Sequence, residues 1–82
     1  MQLQIICPER ILFSGEVESV KVPGVAGEFE ILNNHAAIVS VLERGRVEYA
    51  VAGDGRHQVE ISGGFVEVCR GDVKVCVEVC VC

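Results

Sequence analysis

From Val73 to Val81 every second residue is valine, and between them stand Lys74, Cys76, Glu78 and Cys80. Side chains along a strand point alternately to opposite faces. A period of two with β-branched residues on one face therefore reads as a strand buried on one side. The pattern recurs upstream. Val47, Tyr49 and Val51 alternate with Arg46, Glu48 and Ala50, and Val59 and Ile61 alternate with Gln58 and Glu60. Between Glu16 and Val22 the alternation changes phase near Ser19, which predicts a bulge there or a strand that passes from one sheet to another.

Turn chemistry separates these runs at short intervals: Pro8-Glu9-Arg10, Pro23-Gly24, Glu43-Arg44-Gly45, Gly53-Asp54-Gly55, Ser62-Gly63-Gly64 and Arg70-Gly71-Asp72. The fourth and the last read as tight hairpins. Many short strands with regular turns predict an all-β chain, an antiparallel sandwich or flattened barrel. Only Asn34 to Leu42 has helical potential, and its Ile38-Val39-Ser40-Val41 centre reads better as a strand. Residues 1–82 form one domain, because a chain this short supports one thin core, burying about 60–65% of its unfolded surface. The alternation assigns Leu3, Ile5, Val47, Tyr49, Val51, Val59, Ile61, Val73 and Val75 to that core.

Charge narrows the function. Twelve acids against seven bases leave a net charge of -5. A nucleic-acid binder needs a basic face to displace counterions from phosphates, and a polybasic membrane module needs the same, so neither fits. The uncharged runs are too short for a membrane-spanning helix. Met1-Gln2-Leu3-Gln4-Ile5-Ile6-Cys7 lacks a basic leader and a small-residue cleavage site, which predicts a cytoplasmic chain. Five cysteines, at 7, 69, 76, 80 and 82, are an odd number and a poor disulfide framework.

Chemistry is sparse. Gly24-Val25-Ala26-Gly27-Glu28 carries two glycines, but no lysine follows and no helix opens, so it reads as a surface turn rather than a phosphate cradle. His57 reads as an ordinary strand residue, and His35 sits in a loop with no nucleophile at a motif spacing. Cys76, Cys80 and Cys82 share one face of a strand and offer soft ligands to zinc or copper. Alternate residues on one face lie about 6–7 Å apart, however, which is poor for a tetrahedral site. The cysteines read instead as small apolar side chains in the thiol form. Glu16, Glu18, Glu28 and Glu30 read as solvent-facing, and no catalytic constellation emerges.

One ordered set of elements has a counterpart in a known family. It comprises Pro8-Glu9, Phe13-Ser14-Gly15-Glu16-Val17, Val22-Pro23-Gly24, Gly27-Glu28-Phe29, Asn34-His35-Ala36 and Gly45. Ser62-Gly63-Gly64-Phe65-Val66-Glu67-Val68 and Asp72-Val73-Lys74-Val75 complete it. In this order and spacing, over about residues 3–77, the chain resembles the N-terminal domain of the ATP synthase epsilon-subunit family. The family carries prolines on either side of Asn-His-Ala; here Asn33 and Ala37 stand there, which predicts a less rigid loop on the same fold.

The resemblance implies a flattened β-sandwich of about ten short strands. It implies a non-catalytic rotor part of the central stalk, linking the gamma subunit to the membrane c-ring and coupling proton translocation to ATP synthesis. It places Asn34, His35 and Ala36 at gamma, and Gly27, Glu28 and Phe29 at the c-ring. No cofactor, metal or catalytic residue is implied. Membrane contact comes only through the complex, on the cytoplasmic face of the inner membrane. Many members continue into a helical hairpin that binds ATP or inhibits the motor. This sequence ends near where that hairpin would begin, so the hairpin is expected to be absent. Two rival readings are a small metal or redox protein using Cys76, Cys80 and Cys82, and a hydrolase or ligand-binding sandwich using His35 or His57 with a nearby carboxylate.

Overall fold

The computed structural model describes residues 1–33 and 35–78, and these contain nine strands and no helix. They are β1 (Gln2–Cys7), β2 (Arg10–Glu16), β3 (Ser19–Gly24), β4 (Gly27–Leu32) and β5 (Ile38–Leu42), then β6 (Gly45–Val51), β7 (Gly55–Ile61), β8 (Gly64–Cys69) and β9 (Asp72–Val77). They form one sheet in the order β2-β1-β9-β8-β5-β3-β6-β7, with β4 added beside β3. Every pair among them is antiparallel except β1 with β9, which run parallel from Gln2 opposite Asp72 to Ile6 opposite Cys76.

The sheet curls so that its two halves share one core. Leu3, Ile5, Val66, Val68, Val73 and Val75 come from β1, β8 and β9. They meet Val20, Val22, Ile31, Val47 and Tyr49 from β3, β4 and β6 in a single buried cluster. Seven of the nine core residues read from the alternation lie in this cluster. Val51 and Val59 do not: they are half-buried and pack against its rim. Val51 sits at the hairpin tip opposite Gly55, and Val59 lies on β7, a strand at the end of the sheet with a neighbour on one side only.

The phase change near Ser19 is a crossing between the halves. The Val17 N–H donates to the Met1 carbonyl at 2.8 Å, and the Glu18 N–H donates to the Ala50 carbonyl at 2.7 Å. Consecutive amides thus serve opposite halves, and β3 starts on the second. A separate irregularity lies between Ile5 and Ile6, where β1 pairs with β2.

The turns follow their residues with one shift. Arg70 (φ 50°) and Gly71 (φ 83°) both adopt positive φ between Cys69 and Asp72, the geometry that matches a two-residue hairpin to strand twist. The reversal read at Pro23-Gly24 falls one step later, at Val25-Ala26, because β3 continues through both residues. Pro23 lies opposite Glu28, and its carbonyl accepts the Glu43 N–H at 2.8 Å. Proline is tolerated in a strand where no ladder donor is needed.

Cys69 and Cys76 are free thiols, but Cys7 is disulfide-bonded, so the expectation drawn from an odd cysteine count, a poor disulfide framework, fails there. Parallel pairing puts Cys7 beside the end of β9, a proximity that cysteine parity does not reveal. Val79, Cys80, Val81 and Cys82 lie outside the described residues.

Candidate functional site

The β3–β4 hairpin carries the first candidate group. Its strands pair residue for residue from Ser19 opposite Leu32 to Gly24 opposite Gly27. Gly24 is a point of close approach. A β-carbon there would lie 2.7 Å from the Gly27 carbonyl oxygen and 3.0 Å from the Phe29 ring. The missing side chain lets Phe29 fold across β3 while Gly27 and Glu28 stay exposed.

Gly27, Glu28 and Phe29 form one wall of an open groove of about 520 Å³, and Ile38, Val39 and Ser40 of β5 line the other. The three residues that the resemblance assigns to the c-ring therefore share one surface. Glu28 is not a lone carboxylate, because Lys21 Nζ lies 3.3 Å from its Oε1. Glu30 faces Arg56 at 3.7 Å, and Arg56 also reaches Glu48 at 3.8 Å. Lys21 stands opposite both Glu30 and Glu48 in the ladder. The outward face of β4, β3, β6 and β7 is thus a lattice of alternating charge.

The second group sits in the link between β4 and β5. The His35 N–H donates to the Leu32 carbonyl at 3.2 Å, and His35 Nδ1–H donates to the Ala36 carbonyl at 2.7 Å. That bond places the proton on Nδ1 and leaves Nε2 as an acceptor. His35 is half-buried and Ala36 exposed; Asn34 lies outside the described residues. The loop runs directly into Ile38 and Val39, so it adjoins the groove through β5.

The rival readings find little geometry. His57 Nε2 meets Asp54 Oδ2 at 3.0 Å, but both are exposed at the β6–β7 hairpin, and the His57 ring stacks on Tyr49 at 5.5 Å. Among the described residues no three His, Cys, Asp or Glu side chains converge as metal ligands. The trio with Cys80 and Cys82 lies partly outside the described residues.

One surface feature has no signature in the sequence. Ile11 lies opposite Ile6, Ile6 opposite Cys76, Cys76 opposite Phe65, and Phe65 opposite Val41. Partners directly opposite in a ladder share a face. These five residues therefore form an outward row across β2, β1, β9, β8 and β5, spanning about 19 Å at ordinary strand spacing. Ile11 is 57%, Phe65 45% and Val41 59% exposed. Beyond the row's end the Val25 N–H donates to the Val41 carbonyl at 3.1 Å, and Val25 is itself exposed. The strands themselves are legible from residue alternation, but the order that aligns these residues is not.

The outer face of β2, β1, β9, β8 and β5 thus carries one apolar row beside a polar one, in which Gln4, Lys74 and Glu67 stand in register, whereas the outer face of β4, β3, β6 and β7 is charged. The His35 loop leads into β5, and β5 lines the Glu28 groove. Comparison with known proteins gives this arrangement a family. The pattern described as "ATP synthase, Delta/Epsilon chain, beta-sandwich domain" matches residues 1–81. The ATP synthase epsilon chain of Chlorobium limicola is 39% identical over 67 residues, covering 82% of this chain and 76% of that protein. The epsilon chain of Parvibaculum lavamentivorans is 36% identical over 78 residues, covering 95% of this chain and 59% of that protein. A chain of the Euglena gracilis mitochondrial ATP synthase (OSCP/F1/c-ring, rotational state 1) superposes with a TM-score of 0.85 at 27% identity, over 92% of this chain and 48% of its own length. A chain of the Tetrahymena thermophila mitochondrial ATP synthase (central stalk and c-ring) gives 0.81 at 14% identity, over 94% and 62%, a likeness of fold alone. By sequence across nearly its whole length and by fold, this chain belongs to the β-sandwich family of ATP synthase delta and epsilon chains.

Proposed function

We propose that the chain is a non-catalytic rotor part of an F-type ATP synthase. It joins the gamma subunit to the c-ring and transmits rotation coupled to proton movement. The observation that carries this reading is that an exposed apolar row crosses one outer face, while the other outer face is a lattice of charge. A part held between two partners needs one contact that resists torque and one that meets polar loops. Apolar burial suits the first, because close-packed contacts yield little under load.

In this reading gamma covers the His35 loop and, further along β5, the end of the apolar row at Val41 and Phe65. His35 Nε2 accepts a hydrogen bond there and takes no part in bond making. Gly27, Glu28 and Phe29 meet the polar loops of the c-ring. The protein attaches to the membrane only through the complex, at the cytoplasmic face of the inner membrane.

Co-purification with gamma tests the reading. Val41→Asp should leave the isolated chain folded, since the side chain is exposed, and weaken gamma binding at least tenfold by burying an unpaired charge. His35→Ala should weaken it less. Unaltered gamma binding in both variants overturns the assignment of this face.

A further inference from the structure

We infer that Lys21 is the internal counter-ion of Glu28 and sets how strongly that carboxylate engages a cation on the c-ring. The inference rests on the ring contact proposed above and concerns its regulation. Lys21 Nζ stands 3.3 Å from Glu28 Oε1, and the two side chains are about half-exposed. They come from neighbouring strands of one hairpin, held in register by the pairing of Pro23 with Glu28 and of Lys21 with Glu30.

A ring arginine or lysine reaching Glu28 therefore meets an ion pair, not a bare charge. It must share the carboxylate with Lys21 or displace it. A carboxylate has lone pairs for more than one donor, so sharing is allowed geometrically, but the local charge starts near zero. The neighbouring Glu30 and Glu48 share one cation, Arg56, at 3.7 and 3.8 Å, so they leave one net negative charge in the cluster, away from the Glu28 carboxylate itself. Lys21 thus acts as a competitor built into the site, keeping the contact weak and little affected by salt.

The experiment measures binding of the chain, in complex with gamma, to detergent-solubilised c-ring from about 20 to 300 mM salt. Lys21→Met should tighten binding about two- to five-fold at low salt, the range open to an exposed ion pair. It should steepen the salt dependence and converge with the parent at high salt. Glu28→Gln should weaken binding and remove its salt dependence. In the Glu28→Gln background, Lys21→Met should tighten binding clearly less, since only relief of like-charge repulsion remains.

Three outcomes overturn the inference. Weaker binding of Lys21→Met would mean that Lys21 itself contacts the ring. Equal tightening with and without Glu28 would mean a general change in surface charge. A neutral Glu28→Gln together with an effective Lys21→Met would remove Glu28 from the ring contact altogether, and so overturn the reading beneath. Melting temperatures of the variants, expected to stay within a few degrees of the parent, separate these outcomes from misfolding.

Discussion

Gly64 faces Cys76 so closely that a β-carbon on it would overlap the Cys76 carbonyl oxygen and crowd the Val77 α-carbon at 2.9 Å. Gly64 begins β8 with φ +144°, paired to Val77 on one side and Leu42 on the other. Both the positive φ and the contact exclude a side chain. The obstacle is backbone, which cannot swing aside. Gly64→Ala should therefore cost about 2 kcal/mol or more, combining overpacking with left-handed strain. The denaturant midpoint should fall while the slope holds. A loss below about 0.5 kcal/mol would mean that the β8–β9 ladder opens easily at this end.

Ile61 and Val59 lie two residues apart on β7, and the core treats them differently. Ile61 is 2% exposed, whereas Val59 packs only at the rim. Ile61→Ala should cost about 2–5 kcal/mol, the range for emptying a fully buried aliphatic site. Val59→Ala should cost about 1 kcal/mol or less, because only part of its surface leaves water on folding. Equal losses measured by chemical denaturation would show that the sheet end is packed as tightly as its centre.

Tyr49 links packing to pH. Its ring lies between Phe13, at 4.3 Å, and His57, at 5.5 Å, and burial raises its phenol pKa above 10.0. The folded chain then holds the phenolic proton more tightly than the unfolded chain does. Its contribution is complete below about pH 10 and is lost as pH rises from there through the raised pKa. Melting curves from about pH 8 to about pH 11 should show a steeper alkaline fall for the parent than for Tyr49→Phe. Parallel falls would assign the alkaline loss to other groups.

Local chemistry makes much of this chain legible from its residues. Alternation marks β6, β7 and β9, and Arg70-Gly71 and Gly53-Asp54-Gly55 mark hairpins because few residues accept positive φ at those corners. Ile38 to Leu42 reads as a strand from its β-branched residues alone. The candidate site is legible in part. Glu28 beside a glycine and His35 in a loop stand out as residue types, but Lys21 does not, because its partner lies across a hairpin.

What the amino-acid sequence determined by itself was the class of element at each place and the inner face of most strands, since both depend on neighbours one or two residues away. What only the tertiary structure decided was which strands lie side by side. Parallel pairing of β1 with β9, and the crossing at Val17-Glu18, join segments far apart in the chain. Their cost is loop closure and their return is burial in a shared core, and neither is written in local spacing. The apolar row from Ile11 to Val41 exists only because that strand order sets five outward residues, each ordinary in its own strand, in register.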